Sequence, residues 1–286
     1  MTRGLACPVK LLVIGGSGLL GRRILRQAQR AGHRVTATCH ASVPPADGAD
    51  WHVVDIRRRD DVAALARRVR PDVIVNVAYR QSDWAVTADG AAHVALAAAA
   101  AGARLVHVSS DAVFSGAGPR YDETSTPDPV SPYGAAKAAA ETAVRAIAPA
   151  AVIARTSLII GDGDSPHETL VHALASGAVR GVLYTDTARC PVDAGDLAAA
   201  LLELAAGPET GICHVAGPDA VSRYELGLLV AARDGLDPAA LPSGLFAATG
   251  KTGPRDVRLD SAATQARLAT RLRGAREFLA ASAPGR

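Results

Sequence analysis

A short apolar run, Val9 to Ile14, leads directly into Gly15-Gly16-Ser17-Gly18-Leu19-Leu20-Gly21 and then into a helical pattern from Arg22 to Ala31. Strand, glycine loop and helix in that order constrain the fold more than any other feature of the chain. The run has the length and β-branched character of a buried strand. The glycines satisfy both G-x-x-G-x-x-G (15, 18, 21) and G-x-G-x-x-G (16, 18, 21). Such a loop lets the backbone approach a pyrophosphate, which the free N–H groups and positive dipole end of the following helix attract. Gly15, Ser17, Gly18, Leu19, Leu20 and Gly21 are therefore candidate dinucleotide contacts.

Strand and helix patterns continue to alternate with short connections, which predicts a doubly wound parallel sheet. Strands are expected at 9–14, 33–38, 51–55, 73–78, 104–110 and 151–157, and helices at 19–31, 60–69, 87–101 and 133–147. The alanine-rich stretch 87–101 must pack tightly between neighbours. The Pro-rich stretch from Thr124 to Pro132 reads as a loop. Beyond residue 157 the alternation turns irregular. Helical patterns recur at 194–206 and 222–234, with Gly/Pro loops around 161–168, 207–219 and 235–254. We expect a dinucleotide-binding domain over 1–157. A smaller substrate lobe is expected over 158–286, interleaved with it, so that segments such as 193–212 return to the first domain.

The second strand, His33 to Thr38, decides the kind of dinucleotide. A site that holds the adenosine ribose as a diol carries Asp or Glu at that strand's end. Here the chain reads Thr38-Cys39-His40-Ala41-Ser42. A 2′-phosphate is then tolerated, with His40, Ser42, Arg22 or Arg23 as its candidate partners. NADP(H) is expected in preference to NAD(H), which is still allowed.

With 286 residues the chain can hold one α/β domain and a small lobe. Its net charge of +3 comes from scattered arginines, and no basic run points to nucleic acid. Cys7, Cys39, Cys190 and Cys213 are far apart and lack metal or redox spacing, so no metal site is expected and free thiols in a cytoplasmic protein are the default. Leu5-Ala6-Cys7 has the look of a lipoprotein cleavage site, but no apolar segment precedes it. No run of 18 apolar residues predicts a membrane span.

Tyr133 and Lys137 stand four residues apart in Pro132-Tyr133-Gly134-Ala135-Ala136-Lys137, in a chain with three lysines and five tyrosines. On a helix they share a face. A free phenol, with a pKa of about 10, is a poor acid near neutrality. A neighbouring ammonium favours the phenolate and makes the tyrosine a usable acid or base. A surface Tyr and a solvated Lys at a helix start are the plainer alternative.

Taken together these segments resemble an extended short-chain dehydrogenase/reductase, and within that group the dTDP-4-dehydrorhamnose reductase family. The family's "STDYVFDG" reads Ser109-Ser110-Asp111-Ala112-Val113-Phe114-Ser115-Gly116. Its "NAAAYTxVDxAE" reads Asn76 to Val86, through Ala78, Tyr79 and Ser82. Its "YGxxKxxGE" reads Tyr133-Gly134, Lys137 and Glu141, and its "RTSW" reads Arg155-Thr156-Ser157-Leu158. Its "RPxxxxLD" reads Gly253 to Asp260. The resemblance implies a Rossmann-like α/β fold and an NADPH-dependent ketone reductase. Ser110, Tyr133 and Lys137 would form its catalytic triad. Tyr133 would protonate the alkoxide, Lys137 would lower the Tyr133 pKa and bind the nicotinamide ribose, and Ser110 would orient the carbonyl. It also implies that Asp55 and Ile56 lie near the adenine, with Asp55 as a plain loop residue the alternative, and that Ala78 and Tyr79 line the cofactor cleft. Ser82, Asp111, Val113, Leu158 and Arg255 would contact the substrate, a nucleoside-diphosphate 4-keto-sugar or a related polar ketone. A homodimer is compatible with this reading. Two alternatives stand beside it: a sugar-nucleotide epimerase or dehydratase with bound NAD(H), and a non-catalytic dinucleotide-binding regulatory subunit. The chain departs from the family at Leu158, where the family has Trp, and at Gly253, where it has Arg. These changes remove an aromatic wall and an anion clamp. Arg255 or Lys251 is the expected replacement for the clamp.

Overall fold

The structure is a computed structural model that describes residues 8–43 and 48–280. Cys7, and with it the Leu5-Ala6-Cys7 motif, lies outside the described residues. Six strands, β1 (Lys10–Ile14), β2 (Arg34–Cys39), β3 (Asp50–Val53), β4 (Val73–Asn76), β5 (Arg104–Ser110) and β6 (Val152–Thr156), form one sheet with a seventh, Gly211–His214. Every pairing in this sheet is parallel. From one edge the order is the seventh strand, β6, β5, β4, β1, β2, β3. The winding reverses between β1 and β4, so the loops leaving these two strands diverge and open a crevice at the strands' carboxyl ends.

Both faces of the sheet are covered, which is why β1 and β4 read as near-continuous apolar runs rather than alternating ones. α1 (Leu19–Arg30) and α6 (Ala194–Ala206) pack on one face through Ile24, Leu25, Leu197 and Leu201. α2 (Arg59–Val69), α3 (Gly90–Ala101) and α4 (Pro132–Ile147) pack on the other through Leu65, Val94, Ala140 and Val144. Ala91, Ala95 and Ala98 of α3 are buried, and their small side chains let its neighbours approach closely. A single π-helical turn, Ala85–Asp89, precedes α3. There the buried Thr87 hydroxyl accepts from Arg80 N and donates to Arg80 O.

α5 (Pro166–Ala175) and α7 (Arg223–Asp234) lie apart from the sheet and share a second core with Leu158, Ile160 and Leu183. Two stretches expected as loops are regular. The seventh strand lies within 207–219 and pairs with β6. Its sequence, Gly-Ile-Cys-His, carries a single β-branched residue and so little strand pattern. α5 starts inside 161–168, where Ser165 and Glu168 form a reciprocal capping box. Among the described residues no helix is long and apolar enough to cross a membrane.

Candidate active site

The glycine loop sits where β1 meets α1, and three of its four glycines do different jobs. Gly15 has φ +88°, and a Cβ there would meet the Ala78 backbone at 2.8 Å. Gly21 is buried, and a Cβ on it would collide with the Gly15 carbonyl oxygen. Gly21 and the core residue Leu20 thus hold the helix against the loop, and their side-chain positions do not face the crevice as expected for cofactor contacts. Gly18 is the exception. A Cβ there would meet nothing nearer than Gly15 O at 3.5 Å, so the protein leaves open space above it. Gly18 caps α1 without any side-chain hydrogen bond, which leaves the first helical amides available to an anion.

A cavity of about 220 Å³ opens beside this loop. Gly15, Ser17, Gly18, Asp55, Ala78 and Tyr79 are among its walls, as are His40 and Ile56. The open space at Gly18, the uncapped helix end and this cavity together fit a dinucleotide. Ser42 is exposed and does not line it. Arg22 and Arg23 do not line it either. Arg22 donates to Ser17 O at 2.7 Å and pairs with Asp164 at 3.4 Å, and Arg23 reaches Asp162 at 3.0 Å. The cations of the crevice are instead Arg57 and Arg80. Arg57 grips Asp55 from Nε and Nη2, the latter at 2.6 Å, and its Nη1 lies 3.7 Å from Asp83. The guanidinium pulls the Asp55 carboxyl down to about 2. Sequence reading missed Arg57, although its place two residues beyond Asp55 was the available signal.

The second group of residues lies at the carboxyl end of β5 and the start of α4. Ser131 caps α4 by accepting from Gly134 N at 3.1 Å, and Pro132 occupies the first turn. A Cβ at Gly134 would collide with Ala112 O, so glycine is required for α4 to dock on the turn after β5. That docking brings Tyr133 to Ser110. Lys137 is 3% exposed and donates to Val108 O at 2.9 Å. Its ammonium also lies 5.4 Å from the Tyr79 ring centroid, and Tyr79 in turn is 5.9 Å from the Tyr133 ring.

Electrostatics here depart from the sequence expectation. Burial raises the Tyr133 pKa; Tyr79 and Asp111 push it the same way, while a hydrogen bond with Ser110 opposes them. Burial lowers Lys137 to about 8, against the attraction of Glu141. Lys137 therefore does not bring the Tyr133 pKa below that of a free phenol in this state. It turns towards the Val108 carbonyl, and desolvation governs both groups. The phenol stays protonated near neutrality, as an acid must.

A buried ion pair fixes this geometry. Arg155, 2% exposed, donates to both oxygens of Glu141 at 3.0 and 2.8 Å. Ser109 Oγ donates to the same carboxylate at 2.6 Å. The network ties α4 to β5 and β6, one turn from Lys137 and one residue from Ser110.

The five expected substrate residues scatter. Asp111 is buried beneath Ser110, accepting from Ser157 Oγ at 2.6 Å and facing Arg189 Nε at 3.4 Å. Ser110 Oγ donates to Asp111 at 3.3 Å and accepts from Ala112 N at 3.2 Å. Val113 is fully buried among Phe114, Tyr121 and Val257, so it faces the core and not a ligand. Leu158 is likewise buried in the second core, in one apolar cluster with Ile160 and with Leu226 and Val230 of α7. Ser82 is exposed and lines no described part of the crevice. Arg255 and Lys251 are both exposed and line a cleft of about 530 Å³ together with Phe246 and Gly253.

The fold and this crevice define a Rossmann-like α/β protein with an open cleft at the carboxyl ends of its strands. The chain belongs to the RmlD substrate binding domain family, whose model matches residues 9–283. It is 34% identical over 247 residues to a dTDP-4-dehydrorhamnose reductase of Mycobacterium tuberculosis, covering 80% of this chain and 77% of that one. It is 31% identical over 263 residues to a probable low-salt glycan biosynthesis reductase of Haloferax volcanii, covering 86% and 87%. The crystal structure of a dTDP-4-dehydrorhamnose reductase from Bacillus anthracis in complex with NADP superposes with a TM-score of 0.82 at 20% identity, covering 95% and 97%, which is a likeness of fold.

Proposed function

We propose that the protein reduces the ketone of a nucleoside-diphosphate 4-keto-sugar with NADPH. The observation that carries this reading is the convergence of Ser110, Tyr133 and Lys137 at the carboxyl end of β5, beside the glycine-lined crevice, in a chain of the reductase family. Gly18 and the α1 N-terminus would hold a dinucleotide, which would supply the hydride. The Ser110 hydroxyl turns from Asp111 to the carbonyl oxygen and orients it. Tyr133, protonated because it is buried, donates its proton to the oxygen as charge develops there. Lys137 holds the ribose side of the site and stays charged below about pH 8. Arg57 and His40 line the crevice beside the end of β2, which carries no carboxylate against a 2′-phosphate, and Arg57 neutralises the nearby Asp55. Arg255 and Lys251 supply the anion clamp that Gly253 cannot.

The reading is tested by following NADPH consumption with a dTDP-4-keto-sugar. Wild type should turn it over, and Tyr133→Phe should bind NADPH normally while losing ~10²–10⁴-fold in kcat. Wild-type-like turnover by Tyr133→Phe would remove it as the acid. A protein that binds NADPH but reduces no ketone would point to the non-catalytic alternative, which the retained triad argues against. Tightly held NAD(H) after purification would favour the epimerase or dehydratase reading.

A further inference from the structure

The outer flank of α1 carries a feature that the crevice chemistry does not use. Between α1, the start of α6 and the C-terminal segment lies a groove of about 340 Å³. Arg23, Arg26 and Arg30 face it from one helix, at spacings of three and four residues that align them on a single side. Arg273 faces them from the opposite wall. The carboxylates in the lining are Asp162 and Asp193, and both are taken: Asp162 by Arg23 at 3.0 Å, Asp193 by Arg273 at 3.0 Å. Arg26 and Arg30 pair with no carboxylate among the described residues, unlike Arg22 and Arg23 on the same helix. Two guanidinium groups are thus left uncompensated in a concave site. The groove shares no lining residue with the crevice at the α1 N-terminus.

We propose that this groove is a second anion site, for a compound bearing a diphosphate or triphosphate. Guanidinium groups present paired N–H donors that match phosphoryl oxygens. At a helical rise of 1.5 Å per residue, Arg23 and Arg30 are about 10 Å apart along the axis, long enough for two or three linked phosphoryl groups and too long for one. An occupant would compete with Asp162 for Arg23. Arg23 also holds Asp164 at 3.3 Å, and the segment carrying both aspartates packs near Leu19 beside the glycine loop. Occupancy therefore loosens a contact next to the cofactor crevice and should alter NADPH affinity.

Calorimetric titration of the full-length protein, saturated with NADP, with inorganic pyrophosphate and separately with a nucleoside triphosphate tests the site. Arg26→Ser/Arg30→Ser removes two exposed, unpaired side chains and should keep the wild-type melting temperature. We expect wild type to show a pyrophosphate-binding event that weakens at least tenfold in this double variant and persists in Arg255→Ala, whose substitution can remove only binding at the separate cleft that Arg255 lines. A nucleotide that binds no more tightly than pyrophosphate marks the phosphoryl chain as the recognised group, and tighter nucleotide binding, lost in the same double variant, adds the nucleoside to it. The proposal is overturned if neither probe binds, or if binding survives in Arg26→Ser/Arg30→Ser. Binding lost in Arg255→Ala instead would place the anion in the other cleft. Titration without NADP separates these outcomes from a failure of the cofactor reading, because the groove should bind pyrophosphate in either case.

Discussion

Replacing Lys137 with Met should make the folded protein more stable near neutrality while abolishing turnover. Burial lowers the Lys137 pKa from 10.5 to about 8, so at neutral pH the fold holds a charge that it disfavours. Carrying that charge costs about 3 kcal/mol relative to the unfolded chain. Methionine keeps an apolar stem of similar reach and removes the charge. Against the gain stand the hydrogen bond to Val108 O, worth about 1 kcal/mol, and the contact with the Tyr79 ring, worth about 0.5–1 kcal/mol. The net gain at neutral pH is about 1–2 kcal/mol. The pH dependence is the sharper test. Between the folded and unfolded pKa values the unfolded chain binds more protons, so the stability of wild type rises as pH rises through that window. The variant lacks this slope. Wild type should therefore gain about 2.5 kcal/mol on the variant between about pH 7 and pH 10. Urea unfolding of both proteins at several pH values measures this directly, and groups common to both cancel in the difference. A difference that stays flat across the window would refute the assignment of Lys137 as a desolvated ammonium. In wild type kcat/KM should fall as pH rises through about 8, when the ammonium is lost.

Three further outcomes follow from named contacts. Arg57→Ala should weaken NADPH binding about tenfold or more relative to NADH, because it deletes a cation and frees the Asp55 carboxylate; equal loss for both cofactors would place the 2′-phosphate elsewhere. Glu141→Ala strands Arg155 and Ser109 in the interior and should cost about 3–5 kcal/mol in chemical denaturation, and a loss under 1 kcal/mol would show that the network is dispensable. Arg255→Ala should raise KM for the nucleotide sugar at least tenfold and leave KM for NADPH unchanged, whereas an unaffected KM would locate the diphosphate clamp at another residue.

The sheet, the glycine loop and the Tyr133–Lys137 face were legible because each rests on a local pattern: apolar runs of strand length, glycines where the backbone must pass closely, a four-residue helical repeat. The seventh strand was not, since Gly211-Ile212-Cys213-His214 gains its strand character from pairing with β6 and not from its own residues. α5 left a readable trace in Ser165 and Glu168 that the glycines around it obscured. Within the site, Val113 and Leu158 were assigned by their place in family motifs, and only packing shows that both point into apolar cores. Glu141 and Arg155 stood in quoted motifs without a role, because a buried ion pair joins residues that only the fold brings together. The direction of the Tyr133 pKa could not be read from spacing either. The spacing reports which residues are neighbours, while burial decides which protonation state each prefers.

The chain leaves the sheet after β6, returns for α6 and the seventh strand, and leaves it once more beyond Val215, whose N–H is bonded to Arg155 O at 2.8 Å. The elements around α5 and α7 are thus joined to the sheet by at least three covalent passages, since the chain also returns to the sheet-side core at Leu272 before Ala275 rejoins the second core. Two of these arise at adjacent strand ends. A body hung on one tether can swing freely; three tethers leave it only small rocking movements. The width of the gap above Ser110 and Tyr133 is then written into the chain path itself. Anyone transplanting a different substrate-recognition unit onto this sheet would have to splice separate pieces before α6 and after the seventh strand, and match at least three seams at once.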